Sequence, residues 1–262
     1  MAYALECQVR GEGVPVLLLH SGGMSSRQWK KLADQLAPTH RVVLPDFLGS
    51  GANPPWPAEK DFHFELDVDA TLAILERLGE PAHVVGHSYG GWIGATLTQR
   101  HPELVRSFAA FDPVAFGVLQ DPPDEVGLAD LARVNEPRFT DATTGGDERW
   151  FELFVDYWNG AGTWKNLAPP AREGFLRVGR KVFFEVMTLI VDRTPRAAYA
   201  KVNAPALLIT GEHTPAAGRR VAELLAETFP DGHLERIAGA GHMGPITHAD
   251  VVNRLIVEHV TR

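Results

Sequence analysis

Hydrophobic residues in this chain follow two alternating patterns. Short, nearly continuous apolar runs are typical of parallel strands that are covered on both faces. They occupy residues 15–21, 40–46, 82–88, 105–112, 204–212 and 233–239. Segments with apolar residues three or four positions apart predict amphipathic helices. They occupy residues 25–37, 65–79, 91–101, 216–229 and 248–260. This alternation predicts an α/β fold with a mostly parallel, doubly wound sheet.

The alternation is interrupted between residues 113 and 201. This interval is rich in tryptophan and phenylalanine, mostly in helical patterns, and it is too long to be a simple loop. We therefore expect an inserted helical cap over the strand ends. The predicted organisation is a core made of residues 1–112 and 202–262, with the cap at 113–201 between the two parts. The cap's aromatic residues either form its own core or line an apolar pocket beneath it.

One motif stands between a predicted strand and a predicted helix. The sequence Gly86-His87-Ser88-Tyr89-Gly90 places a serine with glycine two residues before and two residues after it. A tight strand-to-helix turn forces such a serine into a strained backbone conformation, so its neighbours must be small. The turn exposes the hydroxyl at the edge of the sheet. Ser88 is therefore a candidate nucleophile, although the motif by itself also occurs by chance.

A serine nucleophile needs a base, because a neutral hydroxyl reacts poorly. His242 follows the last predicted strand and precedes the last helix, in a glycine-rich loop. In a doubly wound sheet that loop returns to the edge at which Ser88 lies. His242 is therefore the candidate base. His87 is a weaker one, since on the turn its side chain is expected to point away from the serine hydroxyl.

These features together resemble the α/β-hydrolase superfamily. The residues that carry the resemblance are "LLLHSGG" after an early strand, "GHSYGG" at the turn, the inserted cap and the late "GHMG" loop. The resemblance extends over essentially the whole chain. It implies a triad in the chain order nucleophile, acid, histidine. The reaction within the superfamily stays open, because one fold carries many chemistries.

The acid departs from the superfamily's common pattern. Members usually carry an aspartate three residues after the glycine that ends the strand before the last, which is Gly211 here; the matching position holds Thr214. A threonine cannot supply the anion that orients an imidazole. Asp112 is the preferred candidate, because some relatives, including many haloalkane dehalogenases, carry their acid at that strand end. Glu212, beside the usual position, is the alternative.

The same resemblance indicates which backbone amides would donate hydrogen bonds to the carbonyl oxygen of a substrate. The backbone amide of Tyr89, directly after the nucleophile, is one expected donor of an oxyanion hole, and Gly22 is the other. Ser21 replaces the glycine that usually precedes that donor and becomes a candidate substrate contact. Met243 and Trp158 are further candidate substrate-binding residues.

Composition limits the ligands and partners of the protein. The 262 residues carry a formal net charge of −8, which disfavours nucleic acid and anionic membranes. One cysteine and a polar N-terminus predict a cytoplasmic protein without a signal peptide. No metal-binding motif and no dinucleotide fingerprint is present, so we expect neither a metal nor a cofactor. The expected partner is a small-molecule substrate; the sequence does not determine whether the chain forms a homodimer.

The sequence therefore predicts a carboxylesterase-like serine hydrolase. Its expected substrate is a small, uncharged, partly apolar ester or lactone. Three alternatives stay open. They are hydrolysis of a carbon–carbon bond by the same triad, cofactor-free ring-cleaving dioxygenation by the His–Asp pair, and a small-molecule receptor without turnover.

Overall fold

A computed structural model describes residues 3–57, 59–134 and 136–262. The strands are β1 (Cys7–Arg10), β2 (Val14–Leu19), β3 (His40–Pro45), β4 (Ala82–His87), β5 (Val105–Phe111), β6 (Ala206–Gly211) and β7 (Gly232–Ile237). The α-helices are α1 (Lys30–Leu36), α2 (Glu65–Leu78), α3 (Tyr89–Arg100), α4 (Glu125–Ala132), α5 (Pro137–Thr140), α6 (Glu148–Asn159), α7 (Thr163–Asn166), α8 (Pro169–Arg177), α9 (Gly179–Val191), α10 (Ala216–Thr228), α11 (Gly244–Thr247) and α12 (Ala249–Val260). Short 3₁₀ turns occupy Ser26–Trp29, Pro102–Leu104, Phe116–Leu119 and Arg196–Ala198.

The strands form one mostly parallel sheet in the order β1-β3-β2-β4-β5-β6-β7. Only β1 runs antiparallel to its neighbour, β3, among the strands of the described residues. The predicted fold class, a doubly wound α/β sheet, is confirmed. The sequence analysis did not find β1, because its four residues, Cys-Gln-Val-Arg, lack the apolar run of a central strand.

Both faces of the sheet are covered by helices, and this explains the continuous apolar runs. Along β2, Leu17 and Leu19 join the cluster that also contains residues of α2, α3 and α10. Val16 and Leu18 point the other way, into the cluster formed with α1 and α12. Since successive strand side chains alternate between faces, a central strand is apolar at most of its positions. The edge strand β7 differs from this expectation, because most of its residues are exposed.

The interval between β5 and β6 is mainly helical. In the described residues it contains α4 to α9, and a separate aromatic cluster holds several of these helices together. That cluster includes Trp150, Phe151, Trp164 and Phe183, all buried. Helix α4 instead packs against the core helix α10. The assignment of residues 113–201 to a cap domain stays a prediction.

Candidate active site

Ser88 occupies a strained turn between β4 and α3. Its backbone has φ 53° and ψ −117°, a conformation that non-glycine residues rarely adopt. The flanking glycines have a steric reason. A Cβ on Gly86 would lie 2.4 Å from the carbonyl oxygen of Gly90, and one on Gly90 would lie 2.4 Å from that of His20. The sequence folds into this turn because only glycine permits both close approaches.

His242 brings its imidazole to the serine from the loop after β7. Its Nε2 lies 3.0 Å from Ser88 Oγ, and its Nδ1 lies 3.1 Å from Oδ2 of Asp112. All three residues are buried. The structure thus joins three side chains in one hydrogen-bonded chain, although Ser88 and His242 are 154 positions apart in sequence.

A second histidine holds the His242 loop in place. His87 Nε2 donates to the carbonyl oxygen of His242 at 2.8 Å, and Gln28 Nε2 donates to His87 Nδ1 at 3.0 Å. Burial, together with the neighbouring His242, holds the pKa of His87 well below its usual range. His87 is therefore a neutral donor to the loop that carries His242.

The structure brings Asp112, and not Glu212, to the imidazole. Asp112 follows β5 at φ 43° and is completely buried. Its Oδ1 accepts a hydrogen bond from Thr210 Oγ1 at 2.6 Å, and its Oδ2 accepts one from Thr214 Oγ1 at 2.7 Å. Glu212 is exposed, and its Oε2 accepts the backbone N–H of Gly239 at 2.8 Å.

Two backbone amides near Ser88 are available to a ligand. Tyr89 is the first residue of α3, so its N–H has no carbonyl acceptor within the helix. Gly22 lies in the loop after β2, and no backbone hydrogen bond of the described residues uses its N–H. Gln28 supports this loop. The backbone N–H and the hydroxyl of Ser21 both donate hydrogen bonds to Gln28 Oε1, at 3.1 and 3.2 Å. The Ser21 hydroxyl is therefore already engaged by Gln28.

A mainly apolar cavity of about 270 Å³ opens onto Ser88. Its lining includes Gly22, Tyr89 and His242, and also the sequence candidates Ser21, Met243 and Trp158. Trp158, from α6, stacks on the His242 ring with centroids 3.9 Å apart and planes inclined by 22°. An adjoining apolar cavity of about 250 Å³ also has Trp158 in its wall but has neither Ser88 nor His242. Trp158 thus lines both cavities.

Sequence reasoning missed a buried cluster of charges beside this cavity. Lys181 Nζ, from α9, donates to Asp67 Oδ2 at 2.7 Å and also to Glu185 Oε1. The Tyr89 hydroxyl donates to the same Asp67 oxygen at 2.9 Å. A Lys and a Glu four residues apart usually form an exposed pair on a helix. The available signal was Glu185 within the mostly apolar stretch "VFFEVMTLIV", with Lys181 directly before that stretch.

The cluster contains more negative groups than positive ones. Burial would lower the pKa of Lys181, but the carboxylates of Asp67 and Glu185 outweigh it and raise that pKa. Burial, reinforced by Asp67 and opposed by Lys181, raises the pKa of Glu185 to about 7. Asp67 also accepts the backbone N–H of Leu48 at 3.0 Å. Lys181 is therefore the charged donor shared by two carboxyl groups.

The described residues contain neither a clustered set of metal ligands nor a membrane-spanning helix. Across residues 3–57, 59–134 and 136–262, no group of three or more His, Cys, Asp or Glu side chains is arranged to hold a metal ion. In the same part of the chain, none of the helices combines the length and the apolar character that crossing a bilayer requires.

Three features define the class of proteins with an α/β-hydrolase fold. They are a serine on a strand-to-helix turn, here Ser88, a histidine in the loop after the last strand, here His242, and helices inserted between two strands. The model of the alpha/beta hydrolase family matches residues 16–255, and the chain belongs to that family. The chain is 28% identical over 252 residues to a pimeloyl-[acyl-carrier protein] methyl ester esterase of Chromobacterium violaceum, covering 95% of each protein. It is 27% identical over 267 residues to a 2-hydroxymuconate semialdehyde hydrolase of Pseudomonas putida, covering 97% of this chain and 89% of the relative.

A solved structure shows the same fold. The enol-lactonase from Burkholderia xenovorans superposes with a TM-score of 0.74 at 22% sequence identity, over 98% of this chain and 96% of that one. The resemblance to the superfamily that the sequence suggested is confirmed.

Proposed function

We propose that this protein is a serine hydrolase that cleaves a small, uncharged, partly apolar ester or lactone. The observation that carries the proposal is the hydrogen-bonded chain from Ser88 Oγ through His242 to Asp112 Oδ2, which opens onto an apolar cavity. The cavity supports the substrate class, because its described lining contains no lysine or arginine that would pair with an anionic substrate.

In the proposed reaction His242 removes the Ser88 proton while Oγ attacks the substrate carbonyl. The amides of Tyr89 and Gly22 donate to the resulting oxyanion, each contributing about 3–4 kcal/mol. Asp112 accepts a hydrogen bond from the Nδ1–H of His242, which fixes the tautomer of the imidazole, and its negative charge balances the imidazolium. The imidazolium then protonates the leaving alcohol as the carbon–oxygen bond breaks. Water, deprotonated by His242, releases the acid and restores Ser88.

Hydrolysis of a carbon–carbon bond is the second candidate. It is favoured by the full-length similarity to a 2-hydroxymuconate semialdehyde hydrolase. The same three side chains would serve, with a carbanion equivalent as the leaving group. Detecting two fragments from a β-diketone, with no hydrolysis of simple esters, would select this activity.

The test is hydrolysis of p-nitrophenyl acetate and butyrate by the wild-type protein and by Ser88→Ala. We expect kcat to fall by about 10³-fold or more in the variant, because it lacks the nucleophile. An alkyl fluorophosphonate probe should label Ser88 in the folded wild type. Without turnover or labelling, the receptor alternative replaces the proposal. Oxygen uptake with a 3-hydroxy-4-quinolone that persists in Ser88→Ala would instead favour the dioxygenase alternative.

A further inference from the structure

Glu185 brings a carboxyl group to the cavity that opens onto Ser88. The residue is 2% exposed and lines the cavity that contains Ser88. A Cβ added to Gly22 would lie only 2.7 Å from Glu185 Oε2. This oxygen is therefore next to the loop whose amide is proposed to hold the substrate's carbonyl oxygen.

The two oxygens of this carboxyl group have different environments. Oε1 accepts a hydrogen bond from Lys181 Nζ, whereas no donor within the described residues reaches Oε2. Asp67, the other carboxylate beside Lys181, already accepts hydrogen bonds from Leu48, Tyr89 and Lys181. Oε2 is not among the fully buried side-chain atoms without a partner in the described residues, and Glu185 lines the cavity. A hydrogen-bond donor on a ligand in the cavity could therefore reach this oxygen.

The rest of the cavity offers little competition for such a donor. Apolar side chains, among them Val114, Phe175 and Leu189, form most of its wall. Glu185 carries the only carboxyl group in the described lining; the other ionisable side chains there are those of His242 and Tyr89, and the Tyr89 hydroxyl already donates to Asp67. A polar substituent close to the carbonyl would therefore find Glu185 as its partner.

We propose that Glu185 is a specificity-determining residue that accepts a hydrogen bond from a hydroxyl or amino group on the substrate's acyl part, close to the scissile carbonyl. The inference deepens the proposed ester hydrolysis and rests on it. The position follows from the close approach of Oε2 to Gly22, since rotation about the bond between the carbonyl carbon and its neighbour can bring a substituent to the side of the carbonyl oxygen. Above about pH 7, where Glu185 is ionised, a substrate with an anionic group there would be repelled.

The experiment measures binding without turnover. Dissociation constants for methyl 2-hydroxybutyrate, methyl 2-aminobutyrate and methyl 2-fluorobutyrate are determined by calorimetry on Ser88→Ala. Fluorine matches the size and inductive effect of the hydroxyl but donates no hydrogen bond. We expect the hydroxy or the amino ester to bind at least about tenfold more tightly than the fluoro ester. The ester that binds more tightly shows whether the preferred donor is a hydroxyl or an amino group. Equal binding of all three esters overturns the proposal.

A second substitution assigns the preference to Glu185. Ser88→Ala/Glu185→Met replaces the carboxyl group by a side chain of similar length that donates no hydrogen bond and is only a weak acceptor. The preference for the hydroxy or amino ester over the fluoro ester should then disappear. Leu189→Met in the Ser88→Ala background changes the same wall without removing the carboxyl group and should keep the preference. If Glu185→Met keeps the preference too, Glu185 is not its source.

The two proposals fail in distinguishable ways. Absence of ester turnover by the wild-type protein rejects the hydrolase proposal, yet the binding ratio on Ser88→Ala still decides the role of Glu185. Turnover of methyl butyrate with no binding preference for a donor rejects the role of Glu185 and leaves the hydrolase.

Discussion

The hydroxyl of Thr214 donates a hydrogen bond of 2.7 Å to Oδ2 of Asp112, the same oxygen that lies 3.1 Å from His242 Nδ1. Thr214 stands at the position where related sequences usually carry the acid. Here it donates to a carboxylate from the neighbouring strand end. The two positions are close because β5 and β6 are adjacent and parallel, so their carboxyl ends meet at one edge of the sheet.

This relationship predicts that the acid can be moved between the two positions. Asp112→Asn should lower kcat for p-nitrophenyl butyrate by about 10³-fold or more, because the imidazole loses its anion. Adding Thr214→Asp should recover at least about tenfold of that loss, since the new carboxylate starts within hydrogen-bonding distance of position 112. Steady-state kinetics on the single and double variants measure the recovery.

Glu212→Gln is the matched control for this experiment. It removes a carboxylate beside the usual acid position, but one that is exposed and bonded to Gly239. We expect its kcat to stay within about threefold of the wild type, because surface changes away from the site cost little. A large loss in Glu212→Gln, with Asp112→Asn active, would transfer the role of the acid to Glu212.

Trp158→Ala should change both rate and chain-length preference. It removes the ring stacked on His242 and opens the wall shared by the cavities of about 270 and 250 Å³. We expect kcat/KM for the acetate ester to fall, and the ratio of kcat/KM for the octanoate ester to that for the butyrate ester to rise. Trp158→Phe keeps an aromatic ring and should keep the wild-type ratio. An unchanged ratio in Trp158→Ala would show that the ring does not limit the length of the substrate.

Gly22→Ala should weaken activity through a local collision. Its Cβ would meet Glu185 Oε2 at 2.7 Å, and that carboxyl group is held by Lys181. Either the loop or the carboxyl group must move. Since this would displace the Gly22 amide from the proposed oxyanion site, we expect kcat to fall by about tenfold or more. On α8, Gly174→Ala meets nothing within 4 Å and should keep full activity. Equal kinetics of the two variants would contradict the close approach.

Glu185 should make stability depend on pH. Its pKa is raised from 4.5 to about 7 in the folded protein, so the folded state binds this proton more tightly than the unfolded state does. The contribution is fully present below pH 4.5 and is lost as the pH rises through about 7. The free energy of unfolding of the wild type should therefore fall relative to Glu185→Gln across this window. Urea unfolding at several pH values measures the difference, and parallel pH profiles would contradict it.

The sequence by itself determined the fold class, the strand-to-helix turn at Ser88 and the position of His242 after the last strand. These features follow from local patterns, since apolar runs define central strands and glycines at fixed spacing permit the turn. The alternation of strands and helices then brings the two loops to one edge. A short edge strand such as β1 carries too weak a pattern to be found in this way.

Only the tertiary structure distinguished the positions of Asp112 and Glu212, because the direction of each side chain depends on the backbone at its strand end. Asp112 turns inward at positive φ, while Glu212 turns outward to the Gly239 amide. The pairing of Lys181 with Asp67 joins residues 114 positions apart. No local pattern encodes such a contact, because it arises from the packing of α9 against the core, and a charged pair on a helix is ordinarily exposed. That packing also places the free oxygen of Glu185 beside Gly22.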